Sequence, residues 1–176
     1  MDEIEVPLEQ SHEVIHEAHH HADQQHKSMM SWAAVLSAFL AVAAAVSALF
    51  AGHYANEAMI EQIKSSDQWA YYQAKGVKSS IAQMQNEMRP SETLTAKVET
   101  YKQEQKQIKE KANELENESK AHLHLHEALA ACVTMFQVAI ALTAIAVLTR
   151  KKPILFVSLG FGVLGLIWMA KTFLVH

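Results

Sequence analysis

The sequence predicts an all-α membrane protein: three transmembrane helices, with a long antiparallel, coiled-coil-like helical hairpin between the first and second. Three observations predict it. First, residues 30–51 (MSWAAVLSAFLAVAAAVSALFA), 128–149 (ALAACVTMFQVAIALTAIAVLT) and 154–175 (ILFVSLGFGVLGLIWMAKTFLV) form apolar blocks of 22 residues, charged only at Lys171. A helix needs roughly 20 such residues to cross a bilayer core. Second, residues 53–127 are dominated by Ala, Glu, Lys, Gln, Met and Leu, the strong helix formers, and are divided by Pro90 into arms of 37 residues each. Third, the second arm repeats in alternating steps of four and three.

The chain divides into a tail (1–29), a first span (30–52), the hairpin (53–127), a second span (128–149), a basic loop (150–153) and a third span (154–176). The tail is acidic and rich in histidine, and its first eight residues, with Pro7, read as disordered. His12, His16, His19 and His20 then share a helical face with Glu13 and Glu17. Metal capture and a solvated helix leading into the span are both open for this stripe. The solvated helix is preferred, because a His-rich tract is only a compositional signal. Acidic residues before the first span argue against a cleaved signal peptide, which carries positive charge there, so the span reads as a retained anchor.

Along the first span, Ser37, Ala41, Ala45 and Ala48 fall on one face, and the third span carries Ser158, Gly162 and Gly165. Small residues let helix backbones approach closely, so both faces are expected to pack against helices of the same chain or of a neighbouring subunit. Apart from Lys171 near the end of the third span, Gln137 is the most polar side chain inside a span and suits interhelical hydrogen bonding. Arg150, Lys151 and Lys152 fill the short link between spans two and three. The positive-inside rule puts that link, Lys27 and the N-terminus in the cytoplasm, and the hairpin and C-terminus outside. Lys120 is the one countervailing charge near a span end.

In the first arm, Met59, Ile63, Ser66, Ala70, Ala74, Val77, Ile81, Met84 and Met88 are expected to face the second arm, at a spacing near 3.6 that implies little supercoiling. In the second arm the seam is Leu94, Val98, Tyr101, Ile108, Ala112, Leu115 and Leu129, with Gln105, Ser119, His122 and His126 at the intervening places. Trp69 and Tyr72 fall off that expected seam, so a neighbouring subunit is expected to cover them. A straight helix places Trp69 about 25 Å beyond the membrane edge. A kinked first arm that folds Trp69 back onto the membrane is the competing reading.

The phrase "HLHLH" therefore lies within a helix, where His122 and His126 share a face four residues apart. Folding about Pro90 brings His53 and Glu57 near them. His53, Glu57, His122 and His126 could hold zinc or a similar divalent ion, with Glu127 nearby. The alternative is a polar collar without metal. The collar is preferred, and no cofactor is expected, because the pattern lacks a stringent ligand motif. A collar that responds to pH is also open, since histidine titrates near neutrality. Cys132 lies alone in an apolar block, excludes an internal disulfide and reads as a small buried apolar residue. A net charge of −4 gives no sign of a nucleic-acid partner.

The phrases "GHYANEAMIEQIKSSDQWAYYQAKGVKSS", "HEALAACVTMFQVAIALTAIAVLTRKK" and "VSLGFGVLG" resemble an uncharacterised bacterial family of small three-span membrane proteins, known only as a domain of unknown function. The resemblance covers nearly the whole chain and is weakest around residues 84–100. It implies a bacterial inner membrane, with the hairpin and C-terminus periplasmic or extracellular. It transfers no activity, substrate or site.

The function expected from these residues is a non-enzymatic, homo-oligomeric membrane scaffold with a projecting helical stalk, whose partners are the lipid bilayer and further copies of the chain. An oligomeric ion channel or transporter is the alternative, although the spans lack a ring of charge. A metal- or pH-responsive sensor using His53, His122 and His126 is a third. No nucleophile with its base, paired catalytic carboxylates or phosphate-binding glycine loop points to an enzyme.

Overall fold

The computed structural model describes residues 8–175, with side chains for residues 27–174. The tail histidines His12, His16, His19 and His20 lie outside the described side chains, and residues 1–7 lie outside the described chain. Helix α1 runs Leu8–Met88, α2 Glu92–Thr149 and α3 Lys152–Val175. Among the described residues, only 89–91 and 150–151 fall outside these helices, and there is no strand. All three helices are long and apolar enough to cross a membrane.

Their ends have local causes. Arg89 precedes Pro90, and a residue before proline is pushed out of the α region, so α1 stops. The Asn86 side chain stitches the turn: its Oδ1 accepts the Ser91 backbone N–H at 2.9 Å, and its Nδ2 donates to Thr95 Oγ1 at 3.1 Å. Ser91 then caps α2, its backbone carbonyl accepting from the N–H groups of Leu94 and Thr95. At the other end of α2, Arg150 has φ 55°. Its N–H bonds the Val147 carbonyl and that of Lys151 bonds the Ala146 carbonyl, the paired bonds of a Schellman cap. Glycine is the residue that usually takes this left-handed position, and arginine holds it here at a steric cost of about 1 kcal/mol.

The chain forms two compact units. The first comprises the described residues up to Ser47 and from Ala131 onward. Its core is Leu40, Ala43, Cys132, Phe136 and Ala139, flanked by Leu36, Ala44, Ile140, Leu166 and Met169. α3 joins this core through its small-residue face. A Cβ on Gly162 would lie 2.8 Å from Leu40 Cδ2, and one on Gly165 would lie 2.7, 3.1 and 3.2 Å from three atoms of the Phe136 ring. Ser158 and Thr143 share the Ala139 carbonyl, at 2.7 and 2.9 Å, while their hydroxyls meet at 2.6 Å. Two hydroxyl protons serve these three contacts, so one hydroxyl donates to the carbonyl and the other to its neighbour. Ser47 donates to Met169 Sδ at 3.1 Å. Ala41, Ala45 and Gln137 are exposed and Ser37 is half-buried, so α1 turns a different face, Ala33, Leu40, Ala43 and Ser47, inward.

The second unit is residues 48–130. Its cross-contacts run in opposite chain directions: Ser119 meets Ala58, Ser65 meets Ala112, Gln105 meets Tyr72 and Asn86 meets Thr95. On α2 the positions turned inward are those of the alternating four–three step, from Leu94 and Val98 through Ile108, Ala112, Leu115 and Ser119 to Leu129. On α1 the expected register is overturned. Met59, Ile63, Val77, Ile81, Met84 and Met88 are exposed by 51–71%. The inward positions include Ala51, Ala58, Ser65, Tyr72, Ser79 and Asn86, which repeat every seven residues, and the buried Ala82 beside them. Small side chains win this face because they let the α1 backbone come within hydrogen-bonding reach of α2. Ser65 Oγ donates to the Ala112 carbonyl at 3.0 Å, and Ser119 Oγ to the Ala58 carbonyl at 2.8 Å. A methionine or isoleucine at those places would hold the backbones apart.

The two glycines of α3 make a quantitative prediction. Alanine in a helix interior gains about 1 kcal/mol over glycine, whereas overpacking costs about 1–3 kcal/mol. Gly162→Ala meets the end of a flexible leucine and is expected to stay within about 1 kcal/mol of the wild type. Gly165→Ala meets a buried ring on three atoms and is expected to be less stable by about 1–2 kcal/mol. Denaturation of both variants in detergent, followed by circular dichroism, checks the order.

Candidate functional site

Within the second unit, polar side chains are layered between α1 and α2. At one layer Lys75 is held by Glu104 and lies 5.5 Å from the Tyr71 ring centroid and 5.2 Å from that of Tyr101. The Glu104 contact, helped by Tyr71, outweighs burial and holds the Lys75 ammonium above its ordinary range. Gln105 beside it donates to the Tyr72 carbonyl at 3.2 Å. It has room because residue 76 is glycine: a Cβ there would lie 2.7 Å from the Gln105 amide nitrogen. Tyr72 thus belongs to the inward face, and Trp69 packs edge-on against it at 5.6 Å. Both are half-buried within their own chain, which corrects the expectation that they fall off the seam. Lys120 pairs with Glu116 at 2.7 Å and, with a lesser contribution from the Trp69 indole, draws its carboxyl below the usual range.

The histidines form the next layer. α2 places His122 and His126 one turn apart, on the seam that also carries Ser119 and Leu129. His122 Nδ1 lies 3.0 Å from Glu61 Oε2. A carboxylate only accepts, so His122 Nδ1 carries the proton of this bond. His126 Nδ1 lies 2.8 Å from the Ala51 carbonyl, another pure acceptor, so that nitrogen is also the donor. Each neutral ring therefore keeps the lone pair on Nε2. The Tyr54 ring lies 5.8 Å from that of His122 and 5.4 Å from that of His53. Orienting an imidazole through Nδ1, by a carboxylate in one case and a carbonyl in the other, is how proteins prepare Nε2 to bind a metal or take up a proton.

Of the four residues singled out as ligands, His122 and His126 are brought to one face. The acid that reaches His122 is Glu61, where the sequence suggested Glu57. His53 is exposed and contacts the Tyr54 ring, while Glu57 is half-buried. Among the described residues no group of three or more His, Cys, Asp or Glu side chains is arranged to hold a metal ion. His124 points elsewhere and pairs with Glu127 at 3.5 Å. Glu61 and the Ala51 carbonyl were missed because the α1 register was read from its large apolar side chains. The seven-residue repeat of Ala51, Ala58, Ser65, Tyr72 and Ser79 was the signal that would have found them.

The model of one family, described as a domain of unknown function (DUF4337), matches residues 29–175. The chain belongs to that family. No curated protein and no solved structure matches it. The DUF4337 match takes in both units, and with them the histidine layer, the Gly162 and Gly165 contacts and the Arg150 cap.

The tautomers are testable. Nitrogen-15 spectra of histidine-labelled protein at a pH where His126 is neutral, assigned by its absence in His126→Gln, are expected to show the proton on Nδ1. A proton on Nε2 would contradict the bond to Ala51.

Proposed function

We propose that this chain is a non-enzymatic, self-associating scaffold of the bacterial inner membrane, with three spans. In this reading the N-terminus is cytoplasmic, and the second unit and C-terminus lie outside. The observation that carries it is the exposed apolar stripe of the second unit: Met59, Ile63, Val77, Ile81, Met84 and Met88. If the unit stands in water, this stripe on α1 is left uncovered by the described residues. An apolar stripe at helical spacing in water marks an interaction surface, and each such side chain stabilises by about 1.5–3 kcal/mol when fully buried. A second copy brings the same stripe, and two-fold pairing joins like to like, as most soluble oligomers do. The arrangement would be a coiled-coil-like hairpin whose inner seam holds its own arms and whose outer stripe holds its neighbours.

The membrane part of the reading is supported by large apolar side chains turned outward in the first unit. Trp32, Val35, Phe39, Phe156 and Ile167 are exposed by 57–72%. Exposed Ala41 and Ala45 on α1 offer further copies a close approach, and exposed Gln137 on α2 offers a hydrogen-bonding side chain. Arg150, Lys151 and Lys152 support the orientation. The ion pair to Glu116 weakens the opposing argument from Lys120.

Thiol cross-linking in native membranes tests self-association. In a Cys132→Ala background, Ile81→Cys and Met84→Cys are expected to yield dimers with a short bifunctional reagent, whereas Ser79→Cys, buried between the arms, is not. Monomer alone at both stripe positions would overturn the reading.

A second reading, a metal- or pH-responsive sensor, is favoured by the Nδ1-oriented pair His122 and His126. It expects one zinc ion per site, lost in His122→Ala and His126→Ala, as judged by metal analysis after dialysis. Zinc that stays bound in both variants would remove these residues from the site.

A further inference from the structure

A groove opens between α1 and α3 within the first unit. Its deeper part, about 420 Å³, is walled by side chains that include Trp32, Phe39, Phe156 and Leu159, and all of its lining is apolar. Toward the N-terminus of α3 it continues into a space of about 250 Å³ that shares Trp32 and Phe156 and adds Ser28 and Lys152. The groove is therefore amphipathic along its length: a cation and a hydroxyl at one mouth, hydrocarbon beyond. Arg150 and Lys151 sit immediately before Lys152.

We infer that this groove binds one anionic phospholipid of the surrounding bilayer, with its phosphate at Ser28 and Lys152 and one acyl chain along Trp32, Phe39, Phe156 and Leu159. The inference rests on the proposed membrane location. Charge complementarity selects the occupant. A helix from a second copy would bring no anion to the basic mouth unless it carried one there. A lipid brings its phosphate and its chain in the order in which the groove presents cation and hydrocarbon. Basic pockets between spanning helices on the cytoplasmic side bind such headgroups. Trp32 to Phe39 rises by about 10 Å along the helix, enough to cover roughly half of an acyl chain. The Trp32 indole beside the mouth suits the level where headgroups meet hydrocarbon.

Each cation near an anionic headgroup contributes about 1 kcal/mol, or roughly a fivefold preference. Full-length protein, delipidated in mild detergent and titrated with phosphatidylglycerol or with phosphatidylcholine of the same chains, is read by native mass spectrometry. One phosphatidylglycerol per chain is expected, favoured at least fivefold over phosphatidylcholine. The preference should fall about fivefold in Lys152→Gln, and Leu159→Trp should displace the lipid while circular dichroism stays unchanged. Equal retention of both lipids, or binding unaltered by both variants, overturns the inference. Displacement of the lipid by glycerol phosphate alone would reduce the site to a phosphate site and overturn the chain-binding part. A dimer that is lost only in Leu159→Trp, with no lipid retained, would assign the groove to a second copy instead. Carbonate extraction of the same membranes separates the two readings. Protein released by carbonate defeats the membrane location itself, whereas protein that stays integral without lipid preference defeats only the lipid site.

Discussion

A side chain of one helix hydrogen-bonded to the backbone carbonyl of another is the interaction on which this molecule depends. It recurs at Ser65 with Ala112, Ser119 with Ala58, Gln105 with Tyr72, His126 with Ala51 and Ser158 with Ala139. Each such bond requires the donor to cross the whole gap between helices. For serine, with one side-chain carbon, that sets the axes near the close end of the usual packing range, about 8 Å. Everything on the inner faces follows from that distance. Alanine, serine and glycine fill the closest approaches, and the large Phe136 ring stands against Gly165.

The same constraint sends bulk outward. Serine and threonine are buried at 47, 65, 79, 119, 143 and 158, while many large apolar side chains, among them Trp32, Phe39, Ile81 and Phe156, are exposed. In a water-soluble monomer this distribution would be inverted. In the first unit it matches a surface that meets hydrocarbon. In the second it leaves an exposed apolar stripe on α1, the surface to which self-association is assigned in the proposed function. The chemistry inside and the surface outside are thus two results of one packing choice, and the histidine layer is a third. His122 and His126 take their tautomers because backbone and carboxylate acceptors lie within reach of Nδ1. This orients their other nitrogens without any further structure.

Two features of the candidate site show how the sequence was misread and why. Large apolar residues are the normal guide to a buried seam, and on α1 they mark the outer face. Sequence hydrophobicity ranks Ile81 above Ser79 as an inward residue, but close backbone approach reverses the order. Glu61 followed the same error. It lies four residues before Ser65 and three after Ala58, on the small-residue face, and so it meets His122 where Glu57 does not.

By itself the amino-acid sequence determined the all-helical class, the three apolar blocks, the break at Pro90 and the inward positions of α2. Each of these rests on local signals: apolar run length, a ring that cannot continue a helix, and a seven-residue repeat with large residues in it. It also determined the small-residue face of α3, because glycine spacing on one helix needs no knowledge of the partner. Only the tertiary structure decided which face of α1 turns inward, which acid reaches His122 and whether Trp69 and Tyr72 belong to their own chain. Those outcomes depend on the distance between two backbones, and that distance is a property of the pair of helices that neither helix carries alone.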